Sequence, residues 1–279
     1  MITLFFKYLF KCSFIKPHYY GFYKRLFEKY DLFKNKEVKS LYDHDIQIQL
    51  KLDDFIQQQI FLLGYYDKPG ILFLKKNLRP GEVFVDIGAN IGAYTLIAAK
   101  LVTQSGKVFA FEPAKYVYDQ LQNNILLNAF ENIQVEKLAF FNKNTILPLK
   151  ISSSANLGMS SIHNHDEETG EIEMVPAITG DDFFMQINPT KIDLIKLDIE
   201  GAELFALQGL RQTIQKFRPL IVTELSAAIL QRSKINKTDI IDFMKQLHYE
   251  IRGINVEGAI VSIDENNLND SENVAFVPI

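Results

Sequence analysis

Apolar positions change period several times along the chain, and each change marks an element. At residues 43–52 the alternation Ile46, Ile48, Leu50, Leu52 has the period of two of a half-buried strand. Residues 54–64 carry Phe55, Ile56, Ile60 and Leu63 at helical spacing, with Gly64 as the stop. A turn at Pro69-Gly70, preceded by Tyr65, Tyr66 and Asp67, leads into a helix at 71–77 that Arg79-Pro80-Gly81 ends. Those tyrosines read equally as surface residues or as a turn facing a ligand. The run Val83, Phe84, Val85 predicts a buried strand, and Leu96, Ile97, Ala98, Ala99 a helix entered through a glycine turn.

Beyond this unit, strands and helices alternate as in a parallel α/β sheet. Strands are predicted at 107–112, 133–138, 192–198 and 220–224, helices at 116–128, 202–209 and 237–247, and a closing strand pair at 249–254 and 273–277. The 116–128 helix is expected to bury Val117, Leu121, Ile125 and Leu126. Residues 145–152 and 171–178 depart from the alternation and read as antiparallel strands around a polar loop at 153–170, long enough to suggest a functional role. Seven strands in all fit a doubly wound sheet.

Composition adds a second feature. The chain has 279 residues and 47% hydrophobic content, enough for one large core with a small extension. Residues 1–36 hold eight Lys or Arg against two acids, whereas the whole chain is at −4, so the body is strongly acidic. An acidic body argues against general nucleic-acid binding, which needs a basic face. A basic aromatic helical extension at 1–42 and a main domain at 43–279 follow. The extension has no apolar run of membrane-spanning length and no signal-peptide pattern. Two readings remain for it: an aromatic face packed on the main domain, or peripheral contact with an anionic membrane surface. The lone Cys12 cannot form an internal disulfide, and no Cys-x-x-Cys is present, which favours a reducing cytoplasm, with the inner membrane surface as the extension's other location.

Candidate chemistry gathers at the ends of the predicted strands. In Asp86-Ile-Gly88-Ala-Asn90-Ile-Gly92 the spacing is not the Gly-x-Gly-x-x-Gly of dinucleotide binding. Asp86 at the mouth of the turn repels a pyrophosphate but accepts from an ammonium group, and Glu112, 20 residues past Gly92, suits a ribose. The cofactor that fits is S-adenosyl-L-methionine. Its expected contacts are Asp86, Gly88, Asn90, Gly92, Thr95, Glu112 and Ala139, the last just past the third strand of the domain. Lys196, Asp198 and, if the extension continues, Glu200 share one face of the 192–198 strand and reach its carboxyl end, where ligands of open α/β sheets bind. Charged groups there cost several kcal/mol of desolvation unless they pair or do chemistry. Glu224 ends the neighbouring strand.

Together, Asp86-Ile-Gly88-Ala-Asn90-Ile-Gly92, Phe111-Glu112-Pro113, Lys196-Leu-Asp198-Ile-Glu200-Gly201 and Glu224 resemble the FkbM family of S-adenosylmethionine-dependent methyltransferases. The turn Asn156-Leu-Gly158-Met-Ser160-Ser161 is similar to the family's glycine-serine turn. In Thr179-Gly180-Asp181 a glycine stands where the family usually has leucine. The resemblance implies a class I methyltransferase fold, a Rossmann-like seven-stranded sheet with helices on both faces and strand four beside strand five. It also implies O-methylation of a hydroxyl, often on a sugar or polyketide.

Proton removal from an alcohol requires a base, and Asp198 and Glu200 are the leading candidates, oriented by Lys196. His163 and His165 are alternatives if their loop covers the site. No spacing specifies a metal. An N-methyltransferase is disfavoured because Leu197-Asp198-Ile199-Glu200 replaces the Asn-Pro-Pro-Tyr pattern of that chemistry. A catalytically silent binding subunit and a nicotinamide oxidoreductase are the remaining readings. The acceptor, a hydroxyl-bearing small molecule or glycan, carries no readable code.

Overall fold

The computed structural model describes residues 2–151 and 171–279. The glycine-serine turn, His163 and His165 lie outside the described residues. The chain forms two compact units, Met1–Asp67 and a larger one beginning at Lys68. The first therefore extends past residue 42, taking in a hairpin and a helix.

In the first unit, α1 (Ile2–Leu9) is followed by a 3-10 turn at Lys16–His18, α2 (Tyr19–Phe22) and a π turn at Tyr23–Phe27. Pro17 opens the 3-10 turn, so the basic aromatic segment is a series of short helices. β1 (Glu37–Tyr42) and β2 (Ile46–Lys51) form an antiparallel hairpin that turns through Asp43 and His44, both at positive φ. As the alternation predicts, Ile46, Ile48 and Leu50 are buried. Asp54 caps α3 (Phe55–Leu63) by accepting from the Gln57 amide at 2.9 Å, and Gly64 ends it in the left-handed conformation. The core of this unit is aromatic: the Phe27 ring centroid lies 4.9 Å from those of both Phe6 and Phe33, in edge-on contacts. Tyr19 donates to Gln58 Oε1 at 2.9 Å, and Lys7 Nζ donates to Ser40 Oγ at 2.8 Å.

The second unit opens with α4 (Lys68–Asn77). Pro69-Gly70 is not a turn but the start of this helix, where a proline forfeits no hydrogen bond. Then come β3 (Val83–Ile87), α5 (Ala93–Val102), β4 (Lys107–Phe111), α6 (Lys115–Leu126), β5 (Ile133–Glu136), β6 (Ala139–Phe140), β7 (Thr145–Lys150) and β8 (Ile172–Ile178). After them follow α7 (Gly180–Ile187), β9 (Leu194–Leu197), α8 (Glu203–Gly209), α9 (Arg211–Phe217), β10 (Leu220–Ser226) and α10 (Ala227–Arg232). The unit closes with α11 (Lys237–Gln246), β11 (Tyr249–Ile254), β12 (Ile260–Val261) and β13 (Ser271–Pro278).

Eight strands form the main sheet in the order β12-β11-β13-β10-β9-β3-β4-β5. Seven are those the sequence predicts; the eighth, β12, is a two-residue edge piece paired with β11. β9 lies parallel to β10, as expected for strands four and five. β7 and β8 are antiparallel, as predicted, but with β6 they make a separate three-stranded sheet. From β3 the chain winds outward through β4 and β5, then returns to lay β9 on the other side of β3. That reversal makes the β3–β9 junction the switch point, where an open α/β sheet leaves a crevice beyond its strand ends.

The pleat sorts the junction's side chains. Val85, Ile87, Phe109, Phe111, Ile195 and Leu197 join a core shared with α7, α8, α9 and α11. Ala110 faces the other way, toward Leu121 of α6. Asp86 and Lys196, at even-numbered positions of adjacent strands, are direct partners in the parallel register. The expected burial of Leu126 is wrong: it is 78% exposed, while Asn124 is fully buried. Position 124 falls three residues after Leu121, on the helix stripe that Leu126 misses.

Leu126→Lys is accordingly expected to change the unfolding free energy by less than about 0.5 kcal/mol, and Leu121→Ala to lower it by about 2–5 kcal/mol. Chemical denaturation of the two variants checks this, and equal losses would contradict the assignment.

Candidate active site

Residues 86–92 form a tight connection pinned to β4: the amides of Gly88 and Ala89 donate to the Phe111 carbonyl at 3.0 and 2.9 Å. Gly88, Asn90 and Gly92 all have positive φ. Asn90 tolerates this because its Oδ1 accepts from the Ile91 amide at 2.7 Å. Gly88 is needed for a further reason. A Cβ built there would stand 1.9 Å from the carbonyl oxygen of Asp198, so the two motifs touch through backbone. The buried Asn124 side chain donates to the Ile91 carbonyl at 2.9 Å and ties the turn to α6.

Asp86 is fully buried. Its Oδ2 accepts from Thr95 Oγ1 at 2.6 Å, so the fully buried Thr95 hydroxyl is engaged with the strand. Its Oδ1 has no hydrogen-bond partner among the described residues, with Lys196 Nζ at 3.9 Å. Burial raises the Asp86 carboxyl above its ordinary range against the opposing influence of Lys196 and Thr95. Lys196 Nζ also lies 3.2 Å from Asp198 Oδ2 and 4.7 Å from the centre of the Tyr94 ring. The expectation that Lys196 and Asp198 share a face therefore holds.

Glu112, at the end of β4, accepts from the Asn90 amide with one oxygen and from the Ala114 amide with the other, both at 3.0 Å. Burial pushes it up to about 7, with the two amides pulling the other way. Each oxygen keeps a further lone pair. Ala139 opens β6, paired with Ala177 in the small sheet, and the ring centroid of the next residue, Phe140, lies 4.3 Å from that of Phe111 at the end of β4.

The extended alternation stops at Leu197, so Glu200 does not continue it. Glu200 and Gly201 take φ of 53° and 99°, and this reversal is fastened by Glu203, whose Oε1 accepts from the Ile199 and Gly201 amides at 3.2 and 3.1 Å. Glu203 was not among the expected site residues, although a carboxylate in the first turn of a helix, three positions past Glu200, is the signature of such a clasp. Tyr94 and Asn124 escaped as well, since neither carries a pattern in sequence. Asp198, Glu200, Glu203 and Glu224 line one small cavity with Ser226, Ile229 and Leu230. Ser271 donates to Glu224 from the neighbouring strand. Burial, reinforced by the charges of Asp198, Glu203 and Glu224, lifts Glu200 to about 8, and burial lifts Glu203 to about 7. Among the described residues no group of three His, Cys, Asp or Glu is arranged to hold a metal ion.

This end of the sheet thus offers an Asp86 oxygen that accepts no hydrogen bond, carboxyl groups raised toward neutrality by burial, and the buried Lys196 between two carboxylates. Carboxyl groups shifted by burial and gathered at a switch point make this end of the sheet the candidate functional site.

Comparison with known proteins agrees. Residues 86–251 match the family described as Methyltransferase FkbM domain. Methyltransferase sdnD of Sordaria araneosa is 28% identical, over 56% of this chain and 68% of that protein. Hexuronic acid methyltransferase AglP of Haloferax volcanii is 25% identical, over 57% of this chain and 62% of its own length. The 31-O-demethyl-FK506 methyltransferase FkbM of Streptomyces tacrolimicus is 25% identical, over 56% and 67%. Among solved structures, Methyltransferase FkbM from Methylobacillus flagellatus KT aligns with TM-score 0.44 and 18% identity, over 79% of this chain and 52% of that one. The matched family domain begins at Asp86 and takes in Glu112, Lys196, Asp198, Glu200 and Glu224, and on that match the chain belongs to the FkbM family of methyltransferases.

Proposed function

We propose that this protein transfers a methyl group from S-adenosyl-L-methionine to a hydroxyl oxygen of a sugar, glycan or other small molecule. The observation that carries the reading is the paired arrangement at the switch point: Asp86 with one buried oxygen that accepts no hydrogen bond, and beside it the Lys196–Asp198–Glu200 end of β9.

The residues fit the cofactor by the chemistry of their donors and acceptors. Oδ1 of Asp86, which accepts no hydrogen bond, is an acceptor suited to an ammonium group, and Glu112 keeps lone pairs suited to ribose hydroxyls. Two carboxylates around one lysine suit a cationic amino-acid moiety better than a pyrophosphate. When bound, S-adenosyl-L-methionine supplies an electrophilic methyl group on a sulfonium sulfur. Gly88, Asn90 and Gly92 would shape the binding turn, and Thr95 would act through Asp86.

The chain's own contribution to the reaction is orientation and proton removal. Methyl transfer to an alcohol releases the hydroxyl proton, and a carboxylate whose proton affinity matches the working pH takes it best. Glu200, raised to about 8 by burial and three neighbouring carboxylates, has that property. Lys196 holds Asp198 from one side, so Asp198 orients the acceptor or shares the proton. Two relatives, a hexuronic acid methyltransferase and a 31-O-demethyl-FK506 methyltransferase, support an oxygen acceptor on a sugar or other small molecule.

Calorimetric titration with S-adenosylhomocysteine is expected to show binding that Glu112→Ala weakens by about tenfold or more, roughly 1.4 kcal/mol. No binding to the unaltered protein refutes the cofactor. Mass spectrometry of glycans and small molecules from cells with and without the protein is expected to show one O-methylated species lost in its absence. With that acceptor in hand, kcat/KM should climb with pH and level off above about 8, because Glu200 accepts a proton only when ionised. Glu200→Gln should remove that limb and cost about 100- to 10,000-fold in rate. A profile unchanged by Glu200→Gln transfers the role of base to another group, and Asp198→Asn tests the neighbour in the same assay.

A further inference from the structure

The N-terminal unit carries an exposed surface whose residues have no part in the reaction proposed above. α1 is apolar around most of its circumference: Phe6 and, just past its end, Phe10 point into the aromatic core, and both are buried. Leu4, Phe5 and Tyr8 occupy the other side and are 59%, 61% and 69% exposed. At 100° per residue these three fall within about a third of the helix circumference, so they form one stripe. Phe14, a few residues on, is 77% exposed. A helix with apolar residues on two faces ordinarily buries both.

Charge identifies what covers the second face. Residues 1–36 carry eight Lys or Arg against Glu28 and Asp31. The two acids are already matched, Lys24 with Glu28 at 2.9 Å and Lys34 with Asp31 at 3.1 Å. Lys11, Arg25, Lys29 and Lys36 are exposed cations outside those two pairs. Lys11 stands over the Tyr8 ring at 4.6 Å, placing a cation at the edge of the apolar stripe. Exposed aromatic rings bordered by lysines suit the boundary between lipid headgroups and acyl chains, with phosphate on the cationic side. A helix of eight residues is far too short to span a bilayer, and among the described residues no helix is long and apolar enough to do so. We infer that α1 and the basic residues following it dock the protein on the surface of an anionic lipid bilayer, with Leu4, Phe5, Tyr8 and Phe14 inserted at the headgroup level. The inference is independent of the proposed reaction.

Co-sedimentation of the full chain with vesicles tests it. The unaltered protein is expected to pellet with phosphatidylcholine vesicles containing about 30% phosphatidylglycerol, and to do so about tenfold less with pure phosphatidylcholine or in 0.5 M salt. The triple substitution Leu4→Ser, Phe5→Ser, Tyr8→Ser should reduce the partition coefficient tenfold or more. So should the charge reversal Lys11→Glu with Lys29→Glu, which leaves Leu4, Phe5, Tyr8 and Phe14 themselves unaltered. Unchanged circular dichroism and S-adenosylhomocysteine binding identify variants that retain the fold, and the charge-reversed protein serves if the serine variant unfolds. Failure of the unaltered protein to pellet with anionic vesicles overturns the inference, as does equal pelleting of both variants. A concentration-dependent dimer that the serine variant abolishes, without vesicle binding, would assign the face to a second copy instead.

Discussion

The carbonyl oxygen of Asp198 rests where a side chain on residue 88 would be, and the rest of the site depends on that contact. A Cβ at residue 88 would lie 1.9 Å from this oxygen, so the turn after β3 and the loop after β9 can close on each other only through glycine. Their closure holds Asp86 and Lys196 in register on adjacent strands and brings Asp198 within 3.2 Å of the same ammonium group. A buried lysine is costly in isolation, and the two carboxylates offset that cost only while the junction is closed. The two motifs, more than 100 residues apart in sequence, are thus one physical object.

Four carboxyl groups at this junction, Asp86, Glu112, Glu200 and Glu203, are driven toward protonation by burial, yet they are held differently. Glu112 and Glu203 each accept two backbone amides and so act partly as fasteners of the chain. Glu200 lies in the reversal that Glu203 fastens, at positive φ and surrounded by like charge. A strained backbone position that presents a tuned carboxyl group is a common feature of catalytic loops. In the proposed reaction this division of labour lets a single cluster of acids serve both architecture and proton transfer.

The N-terminal unit follows a different logic. Its core is built from edge-on aromatic contacts around Phe27, closed by the β1–β2 hairpin and α3. Large apolar residues are abundant enough there to fill that core and still leave Leu4, Phe5 and Tyr8 outside it. Lys11, over the Tyr8 ring, sets a cation at the edge of that exposed stripe.

Much of the fold is legible in the sequence because local rules and tertiary packing agree. The period of two in residues 46–52, the Asp54 and Gly64 boundaries of α3, and the strand-turn-helix at 83–99 all reappear, since each is set by burial of one face or by a backbone group that must be capped. Asp86, Glu112, Lys196, Asp198 and Glu200 are likewise legible as polar residues at the ends of otherwise apolar strands, where their desolvation demands a reason. Tertiary structure decided the remainder. Pro69-Gly70 starts a helix because a proline in the first turn forfeits no backbone hydrogen bond and its fixed φ suits the helix. Leu126 gives way to Asn124 because the Ile91 carbonyl, brought over from another element, needs a donor. Glu200 leaves the strand's alternation because Glu203 clasps the backbone behind it. Sequence alone thus determined which residues must be buried and which strand ends carry charge. Which distant group each buried donor or acceptor meets was settled only when the strands came together, because hydrogen bonds between remote segments leave no periodic trace in the chain.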